Sequence, residues 1–90
     1  MAESKELTIK NKLGLHARAA ALLVKTTNSF QSDVFIEKDG QRVNGKSIMG
    51  VMMLAAAKGS TIKVETSGAD AAELLDRIER LVDDLFGEGE

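Results

Sequence analysis

The sequence predicts an α+β fold in which a four-stranded, mainly antiparallel sheet carries three helices on one face, in the order β-α-β-β-α-β-α. Three observations predict it. Short runs near Leu7, Val34, Gln41 and Thr61 alternate apolar and polar side chains, the period of a strand with one buried and one wet face. Three other runs carry apolar residues at helical spacing or consist of strong helix formers. Asp39-Gly40 stands between two strand-like runs, a hairpin signal because both residues tolerate positive φ. Strands with one wet face need helices on the other face only.

Leu7–Asn11 gives the first strand by its alternation. Lys12–His16 breaks that period, and from Ala17 a run of alanines followed by Leu22, Leu23, Val24 and Lys25 favours a helix as far as about Asn28. Val34–Lys38 and Gln41–Asn44 flank the Asp39-Gly40 turn as strands two and three. Ser47 offers an N-cap to a short apolar helix over Ile48–Ala57, with Gly59 placed to stop it. Thr61–Thr66 alternates again as strand four. Asp70 begins the last helix, in which Ala71, Leu74, Leu75, Ile78, Leu81, Val82 and Leu85 recur at helical spacing before Gly87 ends it. Glu73 with Arg77 and Asp76 with Arg80 form i,i+4 pairs on its outer face. Met1–Glu6 and Glu88–Glu90 fall outside these elements and read as frayed ends. With no internal repeat, low-complexity segment or linker, residues 1–90 read as one domain with a core from about Leu7 to Phe86.

A net charge of −2 and a pI near 5.4 give no electrostatic reason to bind nucleic acid. Without cysteine, and with one histidine, the chain has neither a disulfide framework nor the ligands of a structural zinc site. The first residues carry acids where a signal peptide needs basic and then apolar ones, and no apolar stretch approaches a membrane span. A cytoplasmic, monomeric protein without metal or cofactor is the expectation.

The single histidine, His16, stands at a helix start. Such an end leaves backbone N–H groups without intrahelical partners and carries about half a positive charge, so it attracts anions such as phosphate. The amides of Ala17 and Arg18 are the nearest donors, and the Arg18 guanidinium is suited to grip phosphate oxygens in a fork. The positive field favours a neutral imidazole, which keeps a lone pair for attack on phosphorus. Gly14 allows close approach of the loop. The alternative use of His16 is merely to cap the helix or to fill a gap.

Gly14-Leu15-His16-Ala17-Arg18, the block Lys46–Met52 and Ala57-Lys58-Gly59 together resemble HPr, the histidine phosphocarrier family of the bacterial phosphoenolpyruvate-dependent phosphotransferase system. The resemblance runs from about Leu7 to Phe86, and the element order agrees with that family's open-faced β-sandwich. It implies that His16 is phosphorylated on ring Nδ1 by enzyme I and passes the group to an enzyme IIA protein or domain, feeding sugar uptake or a nitrogen-type regulatory branch. Arg18 matches the family's active-site arginine. In that family proline usually follows this arginine, whereas Ala19 stands here and the chain has no proline. Alanine is the better helix former but does not preset φ.

Ser47 has an ordinary reading as the N-cap of the second helix. The resemblance adds that Lys46–Met49 looks like the site of HPr kinase/phosphorylase, where phosphoserine alters partner binding. It also implies that Ile48, Met49 and Met52, with the Ala17 and Ala20 side of the first helix, form the docking patch beside the histidine. Gly40–Ser47 fits the P-loop pattern letter for letter. The same residues read better as a turn and third strand, and no apolar strand ending in a magnesium-binding aspartate follows. Two other functions stand beside the carrier: a purely regulatory HPr-like binding module, and a P-loop enzyme.

Overall fold

The computed structural model describes residues 2–90. The chain runs β1 (Ala2–Thr8), α1 (Ala17–Thr27), β2 (Asp33–Lys38), β3 (Gln41–Asn44), α2 (Ile48–Met53), β4 (Thr61–Ser67) and α3 (Ala71–Asp83), closing on a 3-10 turn at Leu85–Gly87. The strands lie in the order β1-β4-β2-β3, and each neighbouring pair is antiparallel. The expected order is the observed one, in a sheet that is antiparallel throughout.

Strand alternation builds the core. Leu7 of β1, Val34 and Ile36 of β2, and Ile62 and Val64 of β4 are buried on one face, where they meet Leu23 and Val24 of α1, Val51 of α2 and Leu74, Ile78 and Val82 of α3. Each such side chain contributes about 1.5–3 kcal/mol by leaving water. On the opposite face the Arg42 guanidinium lies 4.5 Å from the Phe35 ring centroid and pairs with Glu65. At the hairpin, Asp39 and Gly40 take φ of 51° and 82°, the positive values the dipeptide predicts.

Several expected boundaries move. The alternation of Leu7, Ile9 and Asn11 is real, since all three are buried, but the ladder lies earlier, pairing Ala2 with Ser67 through Thr8 with Thr61. Ala2–Glu6 is therefore strand rather than frayed end; Met1, expected to fray with it, lies outside the described residues. The polar sequence conceals this strand because its backbone, not its side chains, makes the pairing. Lys5 reaches across to Glu79 of α3 at 2.7 Å.

The second helix was expected to reach Ala57 but stops at Met53, with Ala55 at φ 49°. The backbone beyond it is used elsewhere: Ala56 O accepts from Leu15 N at 2.9 Å, and Gly59 N donates to Ile9 O at 2.8 Å. Gly59 is thus no helix stop. Asp70 is the N-cap residue of α3, its O accepting from Leu74 N at 3.0 Å, but its side chain does not cap the helix, because the carboxylate accepts from the Gln31 and Ser32 amides and the Ser32 hydroxyl. The hydroxyl foremost, with the Gln31 amide next, holds this carboxyl below its usual range. Along α3, Asp76–Arg80 closes at 3.1 Å, whereas Glu73 and Arg77 form no ion pair among the described residues. Helix α3 ends at Asp83, short of Gly87; Leu85 and Phe86 then take φ of 56° and 52°, which turns the chain back and buries Phe86.

Candidate functional site

His16 is the N-cap residue of α1, as the sequence predicts: its backbone is extended, and its O accepts the first helical bond from Ala20 N at 2.8 Å. The loop before it is fixed from two sides. Leu15 N is bonded to Ala56 O, and Asn11 Nδ2 donates to Gly14 O at 2.9 Å. Gly14 adopts φ +67°, and a Cβ there would strike the Ala56 carbonyl oxygen. The close approach expected of Gly14 is thus an approach to its own chain, which anchors the histidine.

Both ring nitrogens are engaged. Nδ1 faces the helix and accepts from Arg18 N at 3.3 Å, while Nε2 lies 2.6 Å from Glu88 Oε2. An amide only donates and a carboxylate only accepts, so these partners place the ring proton on Nε2 and a lone pair on Nδ1. Glu88 Oε1 accepts from Asn11 Nδ2 at 2.9 Å, and Asn11 is fully buried with its own Oδ1 unpartnered among the described residues. The Asn11 bond is the foremost cause holding the Glu88 carboxyl below its usual range, with His16 and Arg18 adding to it against the effect of desolvation. Glu88–Glu90, expected to fray, is instead strapped over the histidine loop, with Lys12 N also donating to Glu90 O at 3.0 Å.

That lowered carboxyl has a pH consequence. A depressed folded value means that Glu88 stabilises the strap fully above the ordinary glutamate value of 4.5 and loses this contribution as pH falls through the lower folded value. Exchange protection of the Lys12 amide is expected to fall in that acid window before the sheet amides lose theirs. Simultaneous loss of both would contradict a separately titrating strap.

His16, Arg18 and Glu88 line a hollow of about 300 Å³ with Lys12, Leu13 and Glu90. Arg18 is exposed there, and Ala17, beside it, is exposed at the first turn of α1. No cluster of metal-ligating side chains occurs among the described residues. Ser47 is the N-cap of α2, its Oγ accepting from Gly50 N at 3.0 Å. Next to it Ile48, Met49 and Met52 are 43%, 71% and 38% exposed, and Leu13 and Met53 are exposed as well. Ala20 is not part of that surface. It is fully buried because it shares the inward stripe of α1 with Leu23, Val24 and Thr27. The P-loop pattern folds as hairpin and β3, with Lys46 Nζ donating to Phe30 O at 2.9 Å.

Sequence reasoning missed Asn11 and Glu88. The available signal was Phe86, a large apolar residue just past Asp83-Asp84, which had to be buried and so had to tie down whatever followed it.

The family model of the PTS HPr component phosphorylation site matches residues 3–84. The chain belongs to the HPr family. It is 55% identical over 84 residues to the phosphocarrier protein HPr of Neisseria meningitidis, covering 93% of this chain and 94% of that one. It is similar to the crystal structure of HPr-C-His from Thermoanaerobacter tengcongensis, with a TM-score of 0.92 and 43% identity over 96% of this chain and 97% of that one. The HPr-like protein Crh of Halalkalibacterium halodurans is 51% identical over 74 residues, 82% of this chain and 88% of its own. An HPr protein is a phosphocarrier of the phosphotransferase system and not itself an enzyme. No helix among the described residues is long and apolar enough to cross a membrane.

Proposed function

We propose that this HPr-family chain is a cytoplasmic carrier that takes a phosphoryl group from phospho-enzyme I onto His16 Nδ1 and passes it to enzyme IIA proteins or domains. The observation that carries this reading is the His16 ring, held with its proton toward Glu88 and its Nδ1 lone pair at the N-terminus of α1. The pair attacks phosphorus, the donor's bond to phosphorus breaks, and the electrons of that bond return to the donor. The Ala17 and Arg18 amides then face a dianion at a helix end, and the Arg18 guanidinium lines the same hollow. The exposed Ile48, Met49 and Met52, with Ala17, form the apolar surface against which partners dock.

Incubation with phosphoenolpyruvate and enzyme I tests the reading. Acid-labile phosphate should appear on His16 and move to added enzyme IIA, and its absence from His16 would overturn the assignment. Similarity to Crh favours a second reading, an HPr-like binding module without phosphotransfer; binding of a partner without any labelling of His16 would be its signature.

Ser47 joins the proposal as a regulatory phosphorylation site for HPr kinase/phosphorylase. It caps α2 and adjoins the apolar patch, so a negative charge there meets free helix amides within the chain but apolar surface on docking. Ser47→Asp keeps an N-cap acceptor, so its stability should change by less than about 0.5 kcal/mol. Desolvating the uncompensated carboxylate should raise the KM for transfer from enzyme I by roughly tenfold with little effect on kcat. An unchanged dependence on enzyme I concentration would reduce Ser47 to a helix cap.

A further inference from the structure

Asn44 and Gly45 form the chain's single Asn-Gly pair; its other asparagines, Asn11 and Asn28, precede Lys12 and Ser29. We propose that Asn44 is a self-modification site: when the end of β3 lifts from β2, the Gly45 nitrogen closes onto the Asn44 side chain, ammonia leaves, and aspartate or isoaspartate remains, of which the isoaspartyl form impairs docking. The modification stands independently of the carrier reading, and only its effect on docking rests on the apolar patch being the partner surface.

Packing dictates the glycine. Gly45 is buried, and a Cβ there would lie 2.9 Å from Val34 Cγ1, so no larger residue fits behind Asn44. The same lack of a side chain leaves the nitrogen of residue 45 open to close approach by the Asn44 amide carbon. In the closed hairpin the reacting groups are engaged elsewhere: Gly45 N donates to Val34 O at 2.8 Å, and Asn44 Oδ1 accepts from Lys46 N at 2.8 Å. Thr27 Oγ1 adds a latch by donating to Gly45 O at 2.8 Å. Only the end of β3 has to move to free them. This strand of four residues lies at the sheet edge, paired with β2 alone, and Asn44 at its end is exposed. An edge of this kind opens at a fraction of the free energy of global unfolding.

The reaction needs only water and hydroxide. Hydroxide takes the proton from Gly45 N, the nitrogen bonds to Asn44 Cγ, and the bond from Cγ to Nδ2 breaks. Nδ2 leaves as ammonia with a proton from water, which restores the hydroxide, and water then opens the cyclic imide at either carbonyl. Nothing is oxidised or reduced. Opening at Cγ leaves an ordinary backbone and an aspartate whose carboxylate still accepts from Lys46 N. Opening at the backbone carbonyl instead routes the main chain through Cβ and Cγ and turns the Asn44 carbonyl into a free carboxylate. That carbonyl accepts from Ser47 N at 3.2 Å and lies 3.3 Å from where a Cβ on Gly50 would stand, so it abuts the first turn of α2. Isoaspartate therefore displaces Ser47 and the exposed Ile48, Met49 and Met52, whereas aspartate leaves them in place.

Incubation of the full chain in mildly alkaline buffer, folded and in urea, tests the proposal. Peptide mass spectrometry locates the amide-to-acid mass gain, and labelling by an isoaspartyl methyltransferase counts the isoaspartyl product. In the folded chain Asn44 should convert while Asn11 and Asn28 do not. Folding should slow the reaction at Asn44 by about ten- to a hundredfold, the suppression expected of local opening. A folded rate roughly several thousandfold below that in urea would tie the reaction to global unfolding and overturn the proposal, as would a folded rate equal to that in urea. Asn44→Gln, whose longer side chain closes the ring poorly, should stay unmodified, and a mass gain in its peptide would place the reaction elsewhere. The separated isoaspartyl protein should need about tenfold more enzyme I for the same rate of transfer, with Asn44→Asp within about twofold of the unaltered chain. An isoaspartyl protein with unchanged dependence on enzyme I would overturn the link to docking. The mass readout needs no phosphoryl donor, so failure of the carrier reading would be recognised separately, by a fresh chain that takes no label on His16.

Discussion

His16→Ala is expected to accept no phosphoryl group from phospho-enzyme I while remaining folded. The chain has one histidine, so no second imidazole can take over the acceptor's place. The structural loss is small by comparison. His16 caps α1 through a bond of 3.3 Å, at the long end, and its side chain is 29% exposed, so the lost cap should cost about 0.5–1 kcal/mol. For a domain of this size that lowers Tm by a few degrees, roughly 4–8 °C per kcal/mol. Glu88 keeps its bond from Asn11 in the variant, and the strap it belongs to stays closed. Labelled phosphoenolpyruvate with enzyme I, followed on the same sample as a thermal melt, checks both halves. Acid-labile label retained by a folded His16→Ala would remove His16 as acceptor, and collapse of the fold would show that its role is structural.

The sequence made the element order legible because each element carries a local signal: alternation for β2, β3 and β4, a positive-φ dipeptide at the hairpin, and helical spacing in α3. It was misleading where a backbone bond decided the outcome. The residues 2–6 form a strand through pairing with β4, which no side-chain pattern announces. Ala55–Ala57 has the composition of a helix but gives the Ala56 carbonyl to Leu15, a contact between segments about forty residues apart that propensity cannot register. The site divided in the same way. His16, Ala17 and Arg18 were legible because the helix start and its chemistry are contiguous. Asn11 and Glu88 were not, because their relation to His16 exists only after the chain has folded back at Phe86. Resemblance alone puts Ala20 on the docking surface, whereas the inward stripe of α1 assigns it to the core.

Gly14→Ala should be the most destabilising change near the site, by about 2–4 kcal/mol. Two separate terms act. At φ +67° an L-residue costs about 1 kcal/mol or slightly more by left-handed strain alone. The added methyl would also press on the Ala56 carbonyl oxygen and lie 2.9 Å from Ala57 Cα, both backbone atoms that cannot rotate aside as a flexible side chain would. Relieving that overlap means displacing a segment whose carbonyl holds Leu15 N, or a loop whose own carbonyl is held by Asn11, and overpacking of this kind costs about 1–3 kcal/mol. The sum is a large share of the roughly 5–15 kcal/mol that keeps a domain folded. Gly40→Ala isolates the first term, because Gly40 has φ +82° but nothing within 4 Å of a Cβ, and it should lose only about 1 kcal/mol. Denaturant unfolding of the two variants side by side measures the difference. In Gly14→Ala the displaced loop should also lengthen the contact of His16 with Glu88, so phosphoryl acceptance should fall at temperatures where the variant is still folded. If Gly14→Ala proved no more damaging than Gly40→Ala, the loop would yield freely, and its packing against Ala56 would not be what holds His16 in place.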